Sequence, residues 1–132
     1  MEKQIINPNE LHNHPAYSRI FSVSNPKNFH FIAGMTPADE NYNCIAPGNL
    51  LEQYYKVMED LQLCLTKVKA SWSDVVFRRI YVRNMDDFIQ IQTSKNTREY
   101  FKKGEYPPST LIEVTRLSNP EFLIEIDLLA IT

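Results

Sequence analysis

The chain has 132 residues, of which 43% are hydrophobic and 23% charged, the size and composition of one globular domain. Its 14 Lys and Arg residues and 16 Asp and Glu residues give a formal net charge of −2 at pH 7. Because nucleic-acid binders need a basic surface that neutralises phosphates, this balance argues against a dedicated nucleic-acid partner. We therefore expect a single domain over residues 1–132.

Membrane, export and metal signals are absent from the sequence. No apolar run approaches the roughly 20 residues that span a bilayer, and residues 1–15 lack the charged and then apolar layout of a signal peptide. Cys44 and Cys64 do not stand at a metal-ligand spacing, and although a His-x-His pair such as His12 and His14 can bind metal, no acidic or Cys partner follows it at a helical or hairpin spacing. These features predict a cytoplasmic protein with reduced thiols, a solvated N-terminal leader, no membrane contact and no metal site.

The first half of the chain predicts two strands and a helix. Alternation over residues 17–24, an Asn-Pro turn at 25–28 and the apolar run 29–33 predict a β-hairpin. Residues 35–48 have no periodicity and predict a long loop. Asn49 then offers an N-cap with Glu52 three residues later. The apolar positions that follow at helical spacing are Leu50, Tyr54, Val57, Leu61, Leu65 and Val68.

The second half predicts a strand, a helix and a second hairpin. Residues 75–82 are rich in β-branched and aromatic side chains and predict a strand with Val76, Ile80 and Val82 on one face. A second helix is predicted from about residue 85 to 101, ended by two lysines and a glycine. Residues 106–127 predict two strands joined through an Asn-Pro turn.

The resulting order, ββαβαββ, predicts a single sheet with both helices on one face, because βαβ crossovers are right-handed. Alternation places Glu125 and Asp127 on the opposite face, and Glu113 is expected there too. A carboxylate in such apolar company needs a partner, water or a ligand. An uncovered apolar sheet face is also costly in water. We therefore predict closed oligomerisation through this face, which also carries the functional site.

The sequence resembles the reactive-intermediate (imine) deaminase family, also called the Rid or YjgF family, over about residues 17–132. The matching pieces are Tyr17 after Pro-x, Ala33-Gly34, Gln53, SDVV at 73–76, DDF at 86–88, Tyr100-Phe101, PPST at 107–110, VTRL at 114–117 and EID at 125–127. The resemblance implies an α+β, chorismate-mutase-like fold and a homotrimer with small-molecule clefts between subunits. In the deaminating branch these clefts hydrolyse 2-imino or enamino acids to 2-oxo acids and ammonia, without metal or organic cofactor.

The resemblance also implies the site residues. Glu125 matches the acid that positions or activates the attacking water. The substrate-binding set that follows from the matching positions is Tyr17, Gly34, Tyr100, Ser109, Thr110 and Leu111. Where the deaminating branch has an arginine that clamps the substrate carboxylate, this chain has Ser109.

Serine cannot replace a guanidinium, so we expect the carboxylate clamp to be lost and deaminase activity to be altered or lost. Arg79 and Arg116 are candidate replacement cations, each with an interface salt bridge as its alternative role. The space beside Ser109 should be wider, or filled by a neighbour; the candidates are Tyr17, Tyr106 and residues 35–48. Three functions stay open, namely an imine hydrolase, a non-catalytic metabolite-binding trimer and an endoribonuclease.

Overall fold

Six β-strands, two α-helices and one short 3-10 turn build the chain in a computed structural model that describes residues 1–132. The strands are β1 (Glu2–Ile6), β2 (Ile20–Ser24), β3 (Phe29–Met35), β4 (Val75–Val82), β5 (Ser109–Glu113) and β6 (Ile124–Ile131). The helices are α1 (Leu50–Lys67) and α2 (Met85–Thr93). The observed order, βββαβαββ, adds β1 to the predicted elements, so the prediction of a solvated leader is wrong there.

The strand partners differ from the two predicted hairpins. β1 and β2 form a separate antiparallel pair, and the other strands form a four-stranded sheet in the order β3-β6-β4-β5. β3 therefore pairs with β6 rather than β2, and β5 pairs in parallel with β4 rather than β6. The central positions go to β4 and β6, which carry the longest buried apolar faces. The chain thus has two sheets where one was predicted.

Both helices pack on the same face of the four-stranded sheet, as the crossovers predicted. α1 begins after Asn49, whose Oδ1 accepts the Glu52 N–H. Its apolar side buries Leu61 and Leu65 completely, next to the inward-facing Ile126 of β6. None of the helices combines the length and the apolar character needed to cross a lipid bilayer.

Three local details differ from the prediction. A register shift at the start of β4 buries Val75 and leaves Val76 half-buried, because a bulge changes the alternation there. α2 ends at Thr93 instead of Phe101, because the polar residues that follow hydrogen-bond locally to the backbone. Glu113 does not lie with the other strand carboxylates, since its Oε1 accepts the N–H of the first residue of α2.

A buried glutamine connects the loop at residues 36–49 to the entry of β6. Gln53 Nε2 donates to the carbonyl oxygens of Ala46 at 3.2 Å and Glu121 at 3.1 Å, and Oε1 accepts the Leu123 N–H at 2.8 Å. The Gln53 side chain is fully buried, so no water can take its place at these backbone groups. α1 thus fixes both the loop and the start of β6.

Replacement of Leu61 by alanine should lower the free energy of unfolding by about 2–5 kcal/mol, because it opens a cavity at a fully buried position. Leu63→Ala is the matched control, since Leu63 lies on the same helix with 57% of its surface exposed. The control should change stability by less than about 0.5 kcal/mol. Urea denaturation measures both, and equal losses would contradict the assigned helix face.

Candidate functional site

A cavity of about 770 Å³ lies between residues 14–17, the end of α2 and the start of β5, and its volume suits a small molecule. Most of the predicted substrate-binding set lines it, namely Tyr17, Tyr100, Ser109, Thr110 and Leu111. Gly34 and Glu125 are not among the lining residues. Within one chain, the cavity brings together five predicted binding residues and leaves the predicted catalytic acid outside.

The cavity contains a buried cation that the sequence interpretation missed. Arg78 lies on β4 with only 8% of its surface exposed. Its Nε donates to Ser109 Oγ at 2.5 Å, and its Nη2 donates to the Ala16 carbonyl oxygen at 2.8 Å. The guanidinium carbon lies 4.9 Å from the centre of the Phe101 ring, within cation–π distance. A positive charge therefore lies beside Ser109, because the neighbouring strand supplies a guanidinium.

Strand alternation carried a signal that pointed to Arg78. Arg78, Ile80 and Val82 are alternate residues of one strand, so they share the face that the sequence places under the helices. A basic side chain on this apolar face could therefore be recognised from the sequence. In the structure Arg78 pairs in register with Ser109 of β5 and Leu128 of β6. The neighbour that fills the space beside Ser109 is Arg78, which was not one of the candidates proposed from the sequence.

Aromatic residues form much of the cavity wall. Tyr54 of α1 makes edge-to-face contacts with Phe88 and Tyr100, and Phe101 makes one with Tyr106. Burial raises the pKa of the Tyr54 phenol, and it also raises the pKa values of Tyr100 and Tyr106. These phenols stay protonated at neutral pH; Tyr106 donates its proton to Glu99, whereas Tyr54 and Tyr100 can donate hydrogen bonds to a ligand.

The lining of the cavity includes part of the segment that was predicted to be solvated. His14 stacks on Tyr17 with ring centroids 4.1 Å apart, and its Nδ1 accepts the Ala16 N–H at 3.1 Å. Burial, followed by the charges of His12 and Arg19, lowers the pKa of His14. The ring is therefore neutral at pH 7, and with Nδ1 accepting, Nε2 carries the proton as a donor.

The two arginines that the sequence offered as replacement cations lie outside the cavity. Arg79 faces away from the helices and pairs with Asp127 at 3.0 Å. Arg116 donates to two adjacent main-chain oxygens in its own loop. Neither supplies positive charge beside Ser109. No group of three or more His, Cys, Asp or Glu residues is arranged to hold a metal ion.

Glu125 lies on the sheet face opposite the helices, as alternation predicted. Its carboxylate packs over Gly34, where an added Cβ would lie 2.9 Å from Glu125 Cδ and overlap a carboxylate oxygen. Burial, and then the negative charge of Asp127, raises the pKa of Glu125. A carboxyl group with a raised pKa is suited to proton transfer near neutral pH. Gly34 is the residue type that leaves room for it.

Sequence comparison identifies the family. The sequence profile of the family described as Endoribonuclease L-PSP matches residues 8–132. A RutC family protein from Pyrococcus abyssi is 32% identical over 114 residues, which cover 86% of this chain and 84% of the relative. A 3-aminoacrylate deaminase, RutC, from Acinetobacter baylyi is 29% identical over 126 residues, covering 96% and 95%. The chain therefore belongs to the Endoribonuclease L-PSP family, the Rid or YjgF group that its sequence resembles.

Solved structures share the fold. A Rid family protein of unknown function, YyfB from Yersinia pestis, superposes over 100% of both chains with a TM-score of 0.83 at 24% identity. RidA from an Antarctic Psychrobacter species gives a TM-score of 0.64 at 21% identity over 88% of both chains. A YjgF family member from Neisseria meningitidis gives 0.62 at 21% identity over 100% of this chain and 96% of that chain. The predicted chorismate-mutase-like α+β fold is confirmed.

Alanine at position 34 should cost less than about 1 kcal/mol of stability, because its Cβ displaces the Glu125 carboxylate and this flexible side-chain end can move aside. In a Glu125→Ala background the same substitution should be neutral or stabilising by up to about 1 kcal/mol, since alanine restricts the unfolded chain more than glycine. Chemical denaturation of the two single variants and the double variant gives the coupling energy. A coupling energy near zero would show that the two residues do not share this space.

Proposed function

We propose that the protein is a cofactor-independent hydrolase for small imines or enamines, acting in clefts between the subunits of a homotrimer. The cavity beside Arg78 and Ser109 receives the substrate, and Glu125 of the partner subunit activates water. The family membership and the 3-aminoacrylate deaminase among the relatives support this reaction class. The observation that carries the proposal is one cavity lined by the nominated positions Tyr17, Tyr100, Ser109, Thr110 and Leu111.

The reaction needs a group that both accepts and donates a proton. Water adds to the carbon of the C=N bond, its proton passes to the carboxylate, and the carboxyl group returns that proton to the nitrogen. The hydroxyl of the resulting carbinolamine then gives its proton to the carboxylate, which passes it to the amino nitrogen as the C–N bond breaks and the C=O bond forms, and ammonia leaves. Glu125 suits both steps because burial raises the pKa of its carboxyl group.

The helix-free face of the sheet supports association between chains. Phe31 is 81% exposed and Phe77 is 36% exposed, and both flank Leu129 in the strand register. An apolar row of this kind is costly in water and gains free energy when a second surface covers it. Glu125 lies on the same face, so a trimer closed through it would set this acid against another subunit's cavity.

A binding protein without catalysis is the second candidate. Glu99 is the one acidic residue that lines the cavity, and it already accepts the Tyr106 hydroxyl at 2.8 Å. A chain that binds through Arg78 but brings no free carboxylate to its ligand would hold a metabolite without converting it. The endoribonuclease alternative has little support, because Arg78 and Arg98 are the only lysine or arginine residues that line the cavity.

Imines freshly generated by an amino-acid oxidase should release ammonia faster in the presence of the protein. Glu125→Gln should slow this release by about 100-fold or more, because it removes the proton acceptor. The rate should rise with pH through the elevated carboxyl pKa of Glu125, since the deprotonated form accepts the proton from water. The Leu63→Lys variant, exposed on α1, serves as the control. A folded protein that binds ligand without releasing ammonia would favour the binding candidate.

The oligomer should be a homotrimer that depends on the helix-free face. Phe31→Asp should convert it to monomers, because a charge replaces the most exposed aromatic side chain of the apolar row. Leu63→Lys, an equally drastic change at an exposed apolar position elsewhere, should leave the trimer intact. Sedimentation equilibrium at micromolar concentration measures both variants. A monomeric wild-type protein would contradict the association and the inter-subunit site together.

A further inference from the structure

The guanidinium of Arg78 has more hydrogen-bonding capacity than the protein uses. It carries five N–H groups, and the fold engages two, through Ser109 Oγ and the Ala16 carbonyl oxygen. Nη1 has no hydrogen-bond acceptor within the protein. It is also not one of the fully buried polar atoms without a partner, so it is accessible to solvent. The unused N–H groups therefore reach the space of the cavity that Arg78 lines.

The positive charge of Arg78 also lacks a counter-charge. No carboxylate lies within 4.0 Å of the guanidinium, because the ion pairs of the chain are Lys56–Asp60 and Arg79–Asp127. Removing an unpaired cation from water costs several kcal/mol. Two neutral acceptors do not recover that cost. A side chain that served only to join Ser109 to Ala16 would not need a full charge, since a neutral donor could make the same bonds.

The guanidinium is held in a fixed orientation. Ser109 Oγ donates its own proton to the Pro107 carbonyl oxygen at 2.9 Å, which leaves its lone pairs for Arg78 Nε. The Phe101 ring lies against the guanidinium from one side. A planar fork whose rotation is already restricted loses little further entropy when a ligand binds.

The surroundings of the guanidinium favour an anion. The nearby phenols of Tyr54 and Tyr100 are protonated donors, because burial raises their pKa values. Glu99, the acidic residue of the lining, is already bound by Tyr106. The remainder of the wall is apolar, including Ile80 and Leu111.

We propose that Arg78 is the anion-binding residue of this cavity and that the ligand is a small carboxylate with an apolar tail. The assignment names the substrate class of the proposed hydrolase and rests on that function for its catalytic meaning. The carboxylate pairs with the free N–H groups of the guanidinium, and the tail lies along the aromatic wall. Ser109 is a positioning residue that orients the fork.

The test compares pyruvate with its neutral isostere pyruvamide in protein-observed NMR titrations. Wild-type protein should bind pyruvate at least about tenfold more tightly, as a charge-assisted pair implies. Arg78→Met should lose this preference, with pyruvate weakened about tenfold and pyruvamide little changed. Arg116→Met, which removes the same charge from an exposed loop, should bind as wild type does. An Arg78→Met protein that keeps the pyruvate preference would overturn the assignment.

A second measurement avoids dependence on the folding of Arg78→Met. The Nε–H resonance of Arg78, assigned by its loss in Arg78→Lys, should shift when pyruvate is added and stay in place with pyruvamide. No shift at saturating pyruvate would overturn the proposal. The outcomes are separable from those for catalysis. Pyruvate binding through Arg78 without imine hydrolysis refutes the hydrolase alone, whereas imine hydrolysis that persists in folded Arg78→Met refutes the role of Arg78 alone.

Discussion

A guanidinium held between two parallel strands organises the cavity. Arg78 reaches from β4 to Ser109 at the start of β5 and to the main chain at Ala16, so one side chain joins three segments that are distant in sequence. Hydrogen bonds from a charged donor are stronger than neutral ones, and burial reduces the screening by water. Together with the Ser18 N–H, which donates to the Tyr106 carbonyl oxygen at 3.0 Å, Arg78 fixes the position of the N-terminal segment relative to the β5 corner.

The sheet separates Arg78 from Glu125, the two residues to which the proposed reaction assigns ligand binding and acid chemistry. Arg78 faces the helices, whereas Glu125 lies on the other side, against Gly34. Within one chain the backbone of the four-stranded sheet stands between them. For the proposed reaction, association of chains is therefore a chemical requirement and does more than cover the exposed row around Phe31.

Local patterns in the sequence predicted the elements more successfully than their partners. The Asn49 cap and the apolar spacing predicted α1, and alternation placed Glu125 and Asp127 away from the helices. The Asn-Pro turns mark where the chain changes direction, but they do not specify which strand lies alongside. The choice depends on which strands bury the most apolar surface, and that is a property of the whole chain.

The incorrect prediction of strand partners also explains why Arg78 was missed. Arg78 and Ser109 are neighbours only because β4 and β5 pair in parallel, and the predicted hairpin placed β6 beside β5 instead. The family resemblance nominated positions that do line the cavity, Ser109 and Tyr17 among them. It could not nominate Arg78, since the matching pattern marks residues 73–76 at the start of β4 but not position 78.

Gln53 holds its three backbone partners through an amide, a neutral group that both donates and accepts. Glutamate has the same shape, but its second oxygen would face the carbonyl oxygens of Ala46 and Glu121 and repel them. A carboxylate at this position would therefore release the loop at residues 36–49 while every apolar contact of the core remained in place.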